Sequence, residues 1–294
     1  MRELVILSGK GGTGKTSITA AFASFSNNMI LCDADVDAAD LHLLMAPDIQ
    51  QKTDFQGGNV AVINPDKCTS CGLCIELCRF DAVNDVFEID PIECEGCGVC
   101  YDLCPEKAID FPIKTCGEWY ISDTRFGPMV HARLGIAQEN SGRLVALVRQ
   151  EARKIVQKKN IDLILTDGPP GIGCPVIASM GQANAILIVS EPTVSGIHDL
   201  ARVGQLAAHF KIPAMVCVNK YDLNLDQTQA IKDLAKEKNI VFAGQIPFDK
   251  NFTESMIRGK SIIETDEKSQ ASLAVRKIWE NVMAQPAMNM IRLT

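Results

Sequence analysis

The stretch "ELVILSGKGGTGKTS", residues 3–17, constrains the fold of this chain more than any other. An apolar run reads as a buried strand, the pattern G-x-x-x-x-G-K-T follows in Gly9, Gly14, Lys15 and Thr16, and helix-forming residues come next. Strand, loop and helix in that order impose an α/β fold, because the loop's backbone N–H groups and the helix N-terminus must converge on one anion at a strand's end. Gly9, Gly11, Gly12, Thr13 and Gly14 would wrap the β-phosphate of a nucleotide, with Ser17 in the first turn of the helix. Lys15 would neutralise β and γ oxygens, and the Thr16 hydroxyl would ligate Mg²⁺.

The rest of the chain repeats this alternation. "MILCD", "IDLILTD", "AILIVSE", "AMVCVN" and "IVFAGQI" are apolar runs of strand length; "SGRLVALVRQEARKIVQKK", "GIHDLARVGQLAAHF" and "DQTQAIKDLAKEK" carry helical spacing. Strands alternating with helices build crossover units, so the expected fold is a doubly wound, mostly parallel α/β sheet. It is interrupted once. Between residues 64 and 112 Cys, Gly, Pro and acids replace the alternation, which predicts a discontinuous nucleotide domain over 1–63 and 113–294 with a small α+β insert over 64–112. "WYISDTRFGPMVHARLGIAQENSG", after the insert, reads as one or two strands and a loop ending at Ser141, an N-cap for the next helix.

Of 294 residues 47% are hydrophobic, ample for a buried core. No apolar run reaches the roughly 18 to 20 residues of a membrane span, and the N-terminus lacks a signal peptide's cleavage region, so the expected location is cytoplasmic. The net charge of -7 is uneven: residues 64–112 hold eleven acids and three bases, the remainder 25 acids and 26 bases. A carboxylate sheath of this kind repels nucleic acid and suits a basic protein surface, or is simply a solvated face.

Twelve cysteines in a chain without an export signal point to metal rather than to disulfides. Eight form two runs of C-x2-C-x2-C-x3-C: Cys68, Cys71, Cys74 and Cys78, then Cys94, Cys97, Cys100 and Cys104, the second followed by Pro105. Zinc could use two CxxC pairs, but eight thiols at a repeated spacing weigh against it. The spacing resembles that of two-cluster bacterial ferredoxins, in which the fourth cysteine of each run ligates the other cluster. That resemblance implies two 4Fe-4S clusters, one on Cys68, Cys71, Cys74 and Cys104, the other on Cys94, Cys97, Cys100 and Cys78. Arg79 stands where a proline often follows the first run, bringing a positive charge near one cluster. Cys32 and Cys217 sit in apolar runs and read as core; Cys116 and Cys174 read as buried thiols in preference to a third cluster shared between two subunits.

Lys10 adds a second lysine to the phosphate loop, and "KGGTGKT" resembles the deviant Walker A family of ATPases, which includes MinD, ParA, the nitrogenase iron protein and the Mrp-type cluster carriers. The resemblance implies that Lys10 reaches across a dimer interface to phosphates held by the other subunit; the plain alternative is a surface lysine. In "LCDADVDAADL" Asp35 matches the position that orients the attacking water, with Asp33 beside it at the strand end, and in "LILTDGPPGIG" Asp167 matches the Walker B acid. In-line attack on a γ-phosphoryl requires an oriented water and an anionic shell round Mg²⁺, so Lys10, Lys15, Asp35 and Asp167 are the candidate catalytic residues. Asp37 and Asp40 read equally well as helix caps. "VCVNKYD" leaves two readings open. Asn219, Lys220 and Asp222 spell the N-K-x-D of guanine recognition, whereas in the resembled family the Asn reads adenine and Pro247 and Phe248 wall the base; Asp222 also reads as a cap for the helix that follows, and ATP is the favoured nucleotide.

Over essentially its whole length the sequence is similar to MinD-superfamily ATPases with an inserted ferredoxin domain. This implies a Mg²⁺-dependent ATPase working as a nucleotide-dependent homodimer, or heterodimer with a related ATPase, whose nucleotide state controls docking and electron transfer to a redox or metal-cofactor partner. An Mrp-like cluster scaffold or carrier is the alternative, although that group's CxxC pair in the later ATPase domain is missing here. A positioning ATPase of the MinD or ParA type acts through membrane or DNA, and the tail "QPAMNMIRLT" has too few positive charges for a basic amphipathic anchor.

Overall fold

A computed structural model describes residues 1–135 and 141–290. The chain divides into two compact units, the first formed by Met1–Lys52, Trp119–Arg133 and the chain from Ser141 onward, the second built chiefly from Thr53–Glu118. In chain order the strands are β1 (Arg2–Ser8), β2 (Met29–Asp33), β3 (Asp48–Asn59), β4 (Val62–Ile63), β5 (Ile109–Asp110), β6 (Ile113–Thr124), β7 (Gly127–Leu134), β8 (Leu163–Pro170), β9 (Ala185–Ser190), β10 (Ala214–Asn219) and β11 (Val241–Ile246). The helices are α1 (Lys15–Ala23), α2 (Leu41–Met45), α3 (Leu73–Leu77), α4 (Val99–Leu103), α5 (Ser141–Lys159), α6 (Cys174–Met180), α7 (Val194–His209), α8 (Leu225–Glu237), α9 (Asn251–Ile257), α10 (Ile262–Thr265), α11 (Gln270–Met283) and α12 (Pro286–Asn289).

The main sheet has the order β11-β10-β9-β1-β8-β2-β7-β6-β3, with β1 paired in parallel to β8 and β9, β10 to β9 and β11, and β2 to β8 and β7. Both faces are covered. Leu4 and Ile6 of β1 enter one buried cluster with residues of α1 and α11, while Val5 and Leu7 enter another with α6, α7 and α8. A strand buried on two sides has no polar face to show, which is why these runs are continuously apolar. The chain leaves β1 for β2 on one side and reaches β9 on the other, so the end of β1 is the switch point where open α/β sheets bind ligands.

Several elements depart from the sequence reading. The uncertain stretch after the insert forms two strands, β6 and β7, joined by a turn at Arg125 and Phe126. Ser141 is already helical rather than capping, and the expected loop at residues 136–140 lies outside the described residues, as do residues 291–294 of the tail. β3 carries no strand signal because most of its side chains face solvent, leaving Phe55 and Gly57 as its buried positions. Because β3 and β6 contribute to it, the second unit begins eleven residues before and ends six residues after the predicted 64–112 span. Among the described residues no helix is long and apolar enough to cross a membrane.

In the second unit the sequence duplication is a structural one. Gly72 and Gly98, at φ 82° and 78°, start the five-residue helices α3 and α4; each helix carries the third cysteine of its run, and the fourth, Cys78 or Cys104, turns to extended backbone just beyond. β4 and β5 pair antiparallel through Val62 with Asp110 and Ile63 with Ile109.

Candidate functional site

The phosphate loop needs its glycines where the chain turns. Gly12 and Gly14 have φ of 81° and 91°, a region that L side chains avoid, and a Cβ on Gly14 would lie 2.5 Å from Asn219 Nδ2. Asn219 in turn donates from Nδ2 to the Thr13 carbonyl at 2.8 Å, fastening the loop to the end of β10. α1 then begins at Lys15, presenting its free N–H groups towards the loop.

Three acids surround one ammonium. Asp33, the last residue of β2, and Asp167, three residues before the end of β8, are register partners on neighbouring parallel strands. Lys15 Nζ lies 3.1 Å from Asp35 Oδ2 with both side chains buried. Asp167 accepts from Thr16 Oγ1 at 2.6 Å and from Thr19 Oγ1 at 3.1 Å. Burial, and after it the charges of Asp167 and Asp35, hold Asp33 well above the usual carboxylate range. Burial also raises Asp35 and Asp167, each opposed by Lys15. On Lys15 burial disfavours the charge, but attraction to Asp167, Asp35 and Asp33 outweighs it and its pKa lies above the ordinary lysine value. The cluster therefore holds more carboxyl groups than its one cation can keep ionised, and a second cation would favour their charged forms. Asp33 Oδ2 and Thr13 Oγ1 are buried without a hydrogen-bond partner, the kind of vacancy in bonding that a cation and its waters satisfy.

A cleft of about 390 Å³ opens beside the loop, lined by Gly12, Gly14, Lys15, Thr16, Ser17 and Asn219 together with Pro247 and Phe248. Those sequence-predicted residues are brought together. Asp40, from the "LCDADVDAADL" stretch, also lines it, as do Leu43, Leu44, Phe252 and Met256, which no motif marks. Asp40 stands at the N-cap position of α2 but makes no side-chain cap, so the capping reading does not hold for it; Asp37 is exposed. Asp222 does not cap a helix either. It accepts from the Phe248 N–H at 2.7 Å, and Asn224 caps α8 instead. Lys10 lies 3.4 Å from Glu191 Oε2, and Lys220 holds the other oxygen of that carboxylate at 2.6 Å.

Arg125, in the turn between β6 and β7, supports one wall of this cleft. Its guanidinium donates to the carbonyls of Leu44 at 2.7 Å and Met45 at 2.9 Å, at the end of α2, and holds Glu264 of α10 through Nε at 2.6 Å and Nη2 at 2.8 Å. A fork of five donors does this where a lysine would not. Arg125→Gln is expected to lower the free energy of unfolding by about 1–3 kcal/mol, the range of charge-assisted hydrogen bonds, and to speed amide exchange in α2. Urea titration and hydrogen exchange measure the two effects.

In the second unit the eight cysteines divide between two cavities. One is lined by Cys68, Cys71, Cys74 and Cys104, the other by Cys78, Cys94, Cys97 and Cys100, with Cys100 bordering both. The Ala108 N–H donates to Cys104 Sγ at 3.3 Å. Among the described residues no group of His, Cys, Asp or Glu closes tightly enough to hold a single metal ion. Of the other thiols, burial pushes Cys32 and Cys217 up to about 12, as core positions should be. Cys116 is buried, whereas Cys174 is exposed at the start of α6, against the buried-thiol reading.

A mostly parallel sheet covered on both faces, with a glycine-rich loop at the switch point and acids paired on adjoining strands, defines a P-loop nucleotide-binding α/β protein. Residues 4–262 match the family described as the CobQ/CobB/MinD/ParA nucleotide binding domain, CbiA, and the chain belongs to that family. An uncharacterized protein of Methanocaldococcus jannaschii is 31% identical over 288 residues, spanning 95% of this chain and 96% of the relative. The septum site-determining protein MinD of Synechocystis is 23% identical over 292 residues, spanning 97% and 90%. Among solved structures, the septum site-determining protein MinD complexed with Mg-ADP from Pyrococcus horikoshii superposes with a TM-score of 0.60 at 19% identity, covering 96% of each chain, a likeness of fold.

Proposed function

We propose that this protein is a Mg²⁺-dependent ATPase whose second unit holds two 4Fe-4S clusters, and that its nucleotide state controls docking and electron delivery to a redox or metal-cofactor partner. The observation that carries the reading is the division of eight cysteines between two cavities, each taking three from one run and the fourth of the other, with Cys100 bordering both. Thiolates on the corners of an iron cube stand farther apart than the ligands of one ion, so a cluster does not require them to close on one point. When bound, each cluster would accept and release single electrons.

For the nucleotide site, the excess of buried carboxylate over ammonium supports a bound cation, and the relative crystallised with Mg-ADP supports its identity as Mg²⁺. In this reading Thr16 ligates the ion and Asp167 orients a water on it. Lys15 neutralises β and γ oxygens, Asp35 orients the attacking water, and Lys10 exchanges Glu191 for phosphates across a dimer interface. Asn219, Pro247 and Phe248 flank the base. One of the two oxygens of Asp222, the acid that guanine recognition would use, already accepts from the Phe248 N–H, which favours ATP over GTP.

The chain passes between the units within β3 and within β6, and this reading routes the nucleotide-dependent displacement through those two strands. The test compares the reduced protein loaded with ATP, or locked by Asp35→Asn, against its ADP form. Different affinity for an acceptor and different rates of its reduction are expected; equal values in both forms remove the coupling.

A further inference from the structure

The two cysteine runs are copies, and the places where they differ mark one face of the unit. α3 reads Leu73-Cys74-Ile75-Glu76-Leu77 and α4 reads Val99-Cys100-Tyr101-Asp102-Leu103. Tyr101 thus stands where its counterpart is Ile75, and both helices carry an acid at the next position. Beyond the fourth cysteine the first run continues as Arg79-Phe80-Asp81, the second as Pro105-Glu106-Lys107.

These differences gather three aromatic rings at the second cavity. Tyr101, 45% exposed, stacks on Phe111 with ring centroids 5.3 Å apart. Phe111 and Phe80, the latter 42% exposed, line the cavity of Cys78, Cys94, Cys97 and Cys100. Beyond its fourth cysteine the other cavity has Pro105 and Glu106, and its one ring, Phe87, is less exposed than Phe80 or Tyr101. A chain of rings therefore leads from one cysteine cavity to solvent. Exposed carboxylates at Asp81, Glu95, Asp102 and Asp110 follow these rings in sequence or in space, with Arg79 the cation beside Phe80. Aromatic groups half out of water inside a charged rim are the anatomy of a protein interface, and the sign of the rim selects the partner.

We infer that the Phe80, Tyr101 and Phe111 face docks a protein with an apolar centre and a cationic rim, and that electrons leave by the cavity of Cys78, Cys94, Cys97 and Cys100 rather than by the other. The docking half stands on exposure and charge, and the electron half rests on the cluster reading above.

The duplication supplies its own control. Asp102→Lys and Glu76→Lys change the net charge equally at equivalent positions of α4 and α3, so only the local face distinguishes them. The probe is an immobilised cationic c-type cytochrome, bound by anaerobically purified full-length protein. At low ionic strength Asp102→Lys should weaken binding about tenfold and Glu76→Lys less than about twofold, with the gap closing near 0.5 M salt. Tyr101→Ala should weaken binding at both salt levels, and the cytochrome's reduction rate should fall with Asp102→Lys but not with Glu76→Lys. Equal effects of the two lysines, or no binding by the wild type, overturn the docking face. Iron analysis on the same samples separates the failures: selective binding without iron removes the cluster reading and the electron exit while leaving the docking face in place.

Discussion

A protein carrying both Cys78→Ala and Cys97→Ala is expected to retain about four irons per chain, against about eight in the parent, with one intact cluster signal on reduction. The two residues come from different runs of the sequence but line the same cavity, so both lesions fall on one cluster. The matched pair Cys78→Ala and Cys71→Ala takes both residues from the first run, yet they line different cavities, so each cluster loses a ligand and no intact signal should survive. The contrast is large and internal to one set of measurements. Iron analysis and low-temperature EPR on anaerobic material decide it. If the first pair damages both clusters and the second spares one, ligands follow the runs and the interleaved assignment is wrong.

Lys15→Ala is expected to weaken ATP binding by a factor on the order of 100 or more and to abolish measurable turnover. Lys15 is the cation held against Asp35 and attracted by Asp167 and Asp33 in a buried site. Without it, no cation would meet the incoming phosphates, and the charge retained by the buried acids would repel them at short range where solvent screens poorly. Loss of the ammonium also strips a buried charge cluster of its partner, so the variant should melt earlier. Lys15→Arg separates the two effects, since it keeps the charge and much of the stability while displacing it from the phosphates. Titration calorimetry with ATP and circular dichroism provide the readouts; ATP affinity within a few-fold of the parent in Lys15→Ala would remove the residue from the site.

Much of the nucleotide site was legible because its determinants are local. Gly12 and Gly14 occupy left-handed backbone, and the spacing of Gly9, Gly14, Lys15 and Thr16 is set by consecutive residues of one loop. Asp33 and Asp167 were legible for a related reason: each ends an apolar run, and parallel strands bring such ends to the same edge of a sheet. The second hydroxyl on Asp167, from Thr19, went unnoticed although it lies one helical turn after Thr16 on the same face, a spacing that could have signalled it.

Long-range partners left no such trace. Arg125 lies 80 and 81 residues from the carbonyls of Met45 and Leu44 and 139 from Glu264, and nothing near it in sequence announces any of them. Asn219 suggested a base contact, yet its amide is bonded to Thr13, 206 residues away. β3 stayed hidden because an exposed strand has no apolar period. Asp222 and Asp40 looked like caps on the strength of residue type alone, and in each case the neighbouring backbone geometry gives the side chain a different position.

Residues close along the chain share few conformational choices, so the amino-acid order alone determined the phosphate loop, the buried parallel strands and the repeated cysteine spacing. Which thiols border a common cavity, which carbonyls Arg125 gathers and which acid stands beside Lys15 depended on folding, because these pairings close loops of tens to hundreds of residues. Closing a loop costs entropy that no local pattern reveals, and burial of the surfaces that meet is what decides which closures are worth making.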